Sequence, residues 1–321
     1  MACAGNAADA GTADGAGSAG MPSATAGSVG VAGAGALDSG GSSGEVGAPA
    51  SGAGGATETG EAGAPSDAGA GGAPSEEDTP PVGWNLVWGD EFDGVKGTPL
   101  DKAKWKYSVS GNNANNELEY YTDRPENSGT DGEGHFFITA RKETYKGRNY
   151  TSAKFISAGI FQRRYGRFEA RLQLPAGKGL WPAFWALGSN IGDVRWPNCG
   201  EIDIMETMGS QLTINRGSLH GPGYSGGNPL TAQFHLQGGS DFSKAFHVFA
   251  AEWEENVVRF YVDDQLYETR TPKDLNGKRW VYDHDFYMIL NVAVGGTFPG
   301  APDNSVFPQT MWIDYVRVYG R

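Results

Sequence analysis

From Trp84 to the C-terminus the chain is a series of short runs of β-branched and aromatic residues, each bounded by Gly, Pro, Asn or Asp. After Trp84-Asn85-Leu86-Val87-Trp88 come Phe136–Ala140, Gly159–Phe161, Arg167–Leu172, Val248–Trp253, Val257–Val262, Tyr287–Val292 and Trp312–Tyr319. Apolar and polar positions alternate with a period of two, as on half-buried strands, and no long segment repeats at 3.6 residues. Val262-Asp263-Asp264-Gln265-Leu266 reads as a hairpin turn. Many short strands without intervening helices predict an all-β chain folded as two antiparallel sheets packed face to face. The last run is read as alternating cleanly, with Ile313, Tyr315 and Arg317 on one side and Asp314, Val316 and Val318 on the other.

One run breaks the pattern. Gly200-Glu201-Ile202-Asp203-Ile204-Met205-Glu206-Thr207 crowds three carboxylates among Ile and Met. On a strand Glu201 and Asp203 share one face, whereas strict alternation turns Glu206 onto the apolar face, where an unpaired carboxylate costs several kcal/mol or takes up a proton. A β-bulge near Met205 returns Glu206 to its partners. Two glutamates flanking an aspartate on one polar face are equipment for cleaving a glycosidic bond, with carboxyl groups roughly 5–5.5 Å apart for retention and roughly 6.5–9.5 Å for inversion. A flat strand would hold the two glutamate Cα atoms about 13 Å apart, so the strand has to curve. From this stretch alone, a calcium-binding or merely solvated acidic strand remains the alternative.

Residues 1–80 have a different composition. They lack Lys, Arg, Trp, Tyr and Phe, and their ten Asp and Glu residues supply most of the formal charge of −13. A Gly/Ala/Ser-rich acidic tract with almost no bulky apolar groups cannot offset the entropy of ordering, so it is expected to be a disordered tether ahead of one domain over residues 81–321. The remainder is nearly neutral, so nothing in its charge suggests a nucleic-acid binder. Cys199 is the only cysteine of the domain, which therefore has no internal disulfide. No stretch approaches the roughly 18 apolar residues of a membrane span.

Tryptophans cluster just upstream of the acidic run, in Leu180-Trp181-Pro182-Ala183-Phe184-Trp185 and Arg195-Trp196-Pro197. Flat apolar rings suit the C–H faces of sugars, although each ring alone could equally belong to the core. The amide-rich Asn112–Tyr121 segment offers polar partners, or is an Asx-rich turn.

These features occur together in an order that resembles glycoside hydrolase family 16. Asn116-Glu117-Leu118, Tyr165-Gly166-Arg167, Gly179–Trp185, Trp196–Glu206, Asn291–Gly296 and Asp314–Tyr319 carry the resemblance, which covers residues 84–321 and is nearest to bacterial laminarinases, endo-β-1,3-glucanases. It implies a jelly-roll, concanavalin A-like sandwich with a concave substrate cleft and a retaining mechanism. Glu201 would be the nucleophile, Glu206 the general acid and base, and Asp203 the group that orients Glu201. The resemblance further assigns Asn116, Glu117 and Arg167 to sugar hydroxyls, beside Trp181, Trp185 and Trp196, which the Trp-Pro pairs already suggest as stacking rings. His220 would lie on the strand after the acidic one, as a ligand contact or as a structural histidine. A structural calcium ion is implied at Glu91, the Gly134 carbonyl and Asp314, with no cofactor for catalysis. Met1-Ala2-Cys3 resembles a trimmed lipoprotein start, which would place a monomeric enzyme outside the cell or on a bacterial surface through a lipid on Cys3; a chance Cys in an Ala/Gly tract is the equal alternative. Activity on mixed-linkage glucan or another family 16 polysaccharide, or glucan binding without catalysis, are the rival expectations.

Overall fold

The structure is a computed structural model and describes residues 80–321. The expected tether, up to residue 79, and Cys3 lie outside the described residues. Strands β1 (Asn85–Asp90), β2 (Lys106–Tyr107), β3 (Glu119–Tyr121), β4 (Ser128–Thr130), β5 (Phe136–Tyr145), β6 (Arg148–Ser152), β7 (Lys154–Ile156), β8 (Gly166–Gln173) and β9 (Leu180–Gly188) precede a single helical turn, α1 (Ile191–Val194). Strands β10 (Glu201–Glu206), β11 (Ile214–His220), β12 (Leu230–His235), β13 (His247–Glu254), β14 (Val257–Val262), β15 (Gln265–Arg270), β16 (Phe286–Val294) and β17 (Gln309–Gly320) complete the domain.

The strands form the two sheets that the alternation predicts. One runs β15-β14-β13-β8-β17-β5-β6-β3, with β1 on β17 and β4 on β5, and the other runs β12-β11-β10-β9-β16-β7-β2. All pairings are antiparallel except that of β3 with β6. Phe168, Ala170 and Leu172 of β8 meet Phe184, Ala186, Ile202, Leu290 and Val292 from the second sheet in one buried cluster. Each large apolar side chain buried there contributes about 1.5–3 kcal/mol, which is what lets the neighbouring sheet face carry desolvated carboxylates.

Two local readings differ from the alternation. Gly159–Phe161 is a turn rather than a strand: Gly159 has φ 72°, and the Ile160 and Phe161 amides both donate to the Ser157 carbonyl. In β17 the register against β8 slips between Ile313 and Tyr315, so Ile313 shares the core with Val316 and Val318. Asp314 is the extra residue, and it resets the parity that clean alternation assumed. The predicted hairpin joins β14 to β15 through Asp263 and Asp264, both at positive φ, as two-residue hairpin turns require.

The acidic strand β10 lies between β9 and β11, and the predicted bulge is there. Glu201, Asp203 and Glu206 stand opposite Leu187, Trp185 and Ala183 on β9, and opposite His220, Ser218 and Arg216 on β11. Three steps on β10 thus span two on each neighbour, and both Ile204 and Met205 turn into the core. Entry to the strand is fixed by close backbone approach. The Gly188 amide donates to the Gly200 carbonyl, and a Cβ on Gly188 would lie 1.9 Å from the Cys199 oxygen.

A bulge leaves ladder groups unpaired, and here one buried side chain takes them up. The Glu206 amide donates to Asn215 Oδ1 at 3.2 Å, while Asn215 Nδ2 donates to the Ile204 carbonyl at 3.3 Å and to the Tyr267 hydroxyl at 3.2 Å. Asn215→Leu should therefore strand two buried backbone groups and lower the unfolding free energy by about 2–4 kcal/mol, which urea denaturation measures. A stability within 0.5 kcal/mol of wild type, on the order of an ordinary surface substitution, would show that the bulge does not need this carboxamide.

Candidate active site

The outer face of the seven-stranded sheet gathers Glu201, Asp203 and Glu206 from β10 with His220 from β11, all buried. The alternation of β9 aims Trp181, Ala183, Trp185 and Leu187 to the same face, where they form a second apolar cluster with Tyr121, Tyr287 and Ile289. Each glutamate receives an indole N–H. Trp196 Nε1 donates to Glu201 Oε2 at 2.9 Å, and Trp181 Nε1 donates to Glu206 Oε1 at 3.2 Å. His220 Nε2 lies 3.0 Å from Asp203 Oδ2, an ion-pair contact, and 3.8 Å from Glu201 Oε1. Glu201 Oε1 and Asp203 Oδ1 have no protein donor. Buried acceptors left open in this way are rare outside sites that do chemistry.

Burial and crowding act together on the carboxyl groups. Burial first, then the Asp203 and Glu206 charges, push Glu201 well above the ordinary range, against the pull of the Trp196 N–H. Burial and the Asp203 charge raise Glu206 to about 8, opposed by Arg216 and by the Trp181 N–H. The set therefore holds at least one proton near neutrality, and its apparent pKa values belong to the set rather than to one residue. A proton donor beside a second carboxyl group that can attack is the minimum needed for double displacement at an acetal carbon.

Not every expected residue is part of this face. Glu117 reaches it through a chain of hydrogen bonds: Trp185 Nε1 donates to Asn291 Oδ1 at 2.9 Å, Asn291 Nδ2 to the Tyr121 hydroxyl at 3.2 Å, and that hydroxyl to Glu117 Oε2 at 3.1 Å. Asn116 is exposed beside it at φ 59°. Trp181 and Trp185 are 0% and 2% exposed, so they offer no free ring face and serve through their N–H groups; only Trp196 is half-buried. This corrects the stacking role expected for the two rings.

Arg167 is corrected outright. It lies on the outer face of the other sheet, since Phe168 next to it points into the core. Its donors are taken by Glu169 Oε2 at 2.7 Å, Glu252 Oε1 at 3.3 Å and Asp264 Oδ1 at 2.6 Å. The two carboxylates among the expected calcium ligands are also committed elsewhere. Glu91 makes a two-point pair with Arg317 at 2.9 and 2.8 Å, and Asp314 pairs with Arg171 at 2.5 Å. Each carboxylate already has a full counter-charge, so Glu91, Gly134 and Asp314 do not fit a calcium site as arranged here. Among the described residues, Glu201, Asp203 and His220 place ligand atoms within 4.8 Å of one another. A cation there would occupy the groups that double displacement needs.

Sequence reasoning missed Asn215, Arg216, Asn291 and Phe298. A polar residue inside an otherwise apolar strand is the signal that Asn291 carries in β16, whereas β11 reads Ile-Asn-Arg-Gly-Ser-Leu-His and gives Asn215 no such mark.

The model of the glycosyl hydrolases family 16 matches residues 106–317. The beta-glucanase of Rhodothermus marinus is 41% identical over 250 residues, covering 74% of this chain and 85% of that protein. Among solved structures, the laminarinase catalytic domain of Thermotoga maritima MSB8 is 48% identical with a TM-score of 0.69, over 74% of this chain and 98% of that one. The endo-β-1,3-glucanase of Pyrococcus furiosus is 43% identical with a TM-score of 0.70, over 74% and 94%.

The raised carboxyl groups have a consequence for stability. Between the ordinary glutamate value of 4.5 and the value of about 8 at Glu206, the folded protein keeps a proton that the unfolded chain releases. The stabilisation is thus complete below the unfolded value and is lost as pH rises through the folded one. The melting temperature should fall between pH 5 and pH 8.5, and Glu206→Gln should remove a large part of that slope. Parallel curves for the two proteins would contradict the burial-driven shift.

Proposed function

The chain belongs to the glycosyl hydrolases family 16, and from that premise we propose that it is an endo-β-1,3-glucanase that attacks laminarin-type glucans with retention of configuration. The observation that carries the reading is the bulged strand that sets Glu201, Asp203 and Glu206 side by side on one buried face. In the first half-reaction the Glu201 carboxylate attacks the anomeric carbon. Glu206 hands its proton to the glycosidic oxygen, the bond to the leaving sugar breaks, and a glycosyl ester of Glu201 forms. In the second half-reaction the Glu206 carboxylate takes a proton from water, the water oxygen attacks the anomeric carbon, and Glu201 leaves as carboxylate.

The surroundings support these roles. The Trp196 N–H favours the charged form of Glu201, as a nucleophile requires, and the Trp181 N–H steadies Glu206 when it has lost its proton. Asp203, flanked by His220, raises the cost of a second charge on either glutamate, so it keeps the acid protonated until substrate binds. The proposal extends to a monomer held at the bacterial cell surface through a lipid on Cys3, a reading that rests on the composition of residues 1–79.

Glu201→Gln and Glu206→Gln should each remove nearly all release of reducing sugar from laminarin while the fold is kept, and Asp203→Asn should be milder. Wild type should act on laminarin in preference to lichenan and agarose. Proton NMR of fresh digests should show the β anomer first, with α appearing only by mutarotation; early α product would overturn the assignment of Glu201 as nucleophile.

The Glu91–Arg317 pair takes the place proposed for calcium in tying the segment at Glu91 to β17. A chelator should accordingly leave the melting temperature unchanged. A fall of several degrees, reversed by added calcium, would reinstate an ion at Glu91 and Asp314.

A further inference from the structure

Arg216 is the cross-strand partner of Glu206 and projects to the same face, yet the mechanism above leaves it unused. Its guanidinium is held rather than free. Nη2 donates to Gln211 Oε1 at 2.7 Å, and Cζ lies 5.3 Å from the ring centre of Phe298. The residue is only 9% exposed, and Nη1 is buried without a partner. An unpaired donor on a buried cation costs free energy that a neutral, protonated Glu206 does not repay. Burial accordingly pulls the guanidinium value down, against the Glu206 charge.

We infer that Arg216 and Phe298 form the binding site for the sugar on the leaving side of the scissile bond, with Arg216 Nη1 donating to one of its hydroxyl oxygens and Phe298 bordering its apolar face. The inference rests on Glu206 being the acid, because the acid sits beside the glycosidic oxygen of the departing sugar. That sugar must then lie past Glu206, on the side away from Glu201. Arg216 stands directly across from Glu206, and Phe298 packs on Trp181 with ring centres 5.0 Å apart, Trp181 itself being bonded to Glu206. Phe298 is half-buried, which leaves part of its ring for a ligand. A fixed donor beside a partly open aromatic ring is the arrangement that recognises a pyranose, one group by its hydroxyl and the other by its C–H face.

The test compares a β-1,3-linked glucose tetramer with β-laminaribiosyl fluoride, which has no sugar on the leaving side. Arg216→Met should lower kcat/KM for the tetramer by roughly 10- to 100-fold more than for the fluoride, the range expected for losing a hydrogen bond to a charged donor. The larger share should fall on KM. Phe298→Ala, in a half-buried loop, should shift the same ratio in the same direction, and it decides the matter should Arg216→Met not fold. Equal losses on both substrates, or no change in the ratio, would overturn the inference. Wild-type protein inactive on both substrates would instead sink the underlying assignment of activity.

Discussion

The site depends on how the carboxamide of Asn215 closes the bulge in β10. A regular ladder would turn Glu206 into the core, so the extra residue at Ile204-Met205 is needed to set the three acids on one face. That residue leaves an amide and a carbonyl without ladder partners in a dry environment. Asn215 supplies one acceptor and one donor from the adjacent strand, and its second hydrogen is held by Tyr267, whose ring packs against Phe234 and Phe260. Position is therefore passed from the core to Glu206 through hydrogen bonds of fixed direction, which apolar packing alone does not provide.

The crowding of acids on that face is sustained by the sandwich behind it. Three carboxyl groups with almost no access to water would not tolerate three charges, and the cost of each successive ionisation is what raises the values at Glu201 and Glu206. The two indole N–H groups divide the labour, one on each glutamate, without bringing in a positive charge that would draw both carboxyls down to the ordinary range. This is why buried tryptophans, rather than lysines or arginines, make the direct contacts to the two glutamates.

Much of this was legible in the chain. Period-two runs predict two packed sheets, and a carboxylate on the wrong parity predicts a bulge, because both follow from the alternation of side chains along a strand. The failures share one cause: spacing gives a residue's face relative to its own strand, but not the sheet that the strand joins. Arg167 and the β10 acids each fall on outward positions, yet β8 and β10 belong to different sheets, so Arg167 ends up on the far side of the core. Asp314 shows the converse, since an unforeseen bulge shifted the parity of β17. Trp181 and Trp185 were placed on the correct face, but their burial depends on the Phe298 loop and on Tyr121 of β3, whose positions alternation within β9 does not encode.

The two outer faces of the sandwich differ in a way that itself marks the site. On the ten-stranded sheet the charged groups satisfy one another: Arg167 with Glu169, Glu252 and Asp264, Arg171 with Asp314, and Arg317 with Glu91. On the seven-stranded sheet Glu201 Oε1, Asp203 Oδ1, His220 Nδ1 and Arg216 Nη1 are buried with protein partners missing. Both faces are rich in charge, so charge alone does not separate them. What separates them is polar capacity that the fold pays to bury and then leaves open, and such capacity persists where a ligand completes it. The open acceptors lie at Glu201 and Asp203, and the open donor lies across from Glu206.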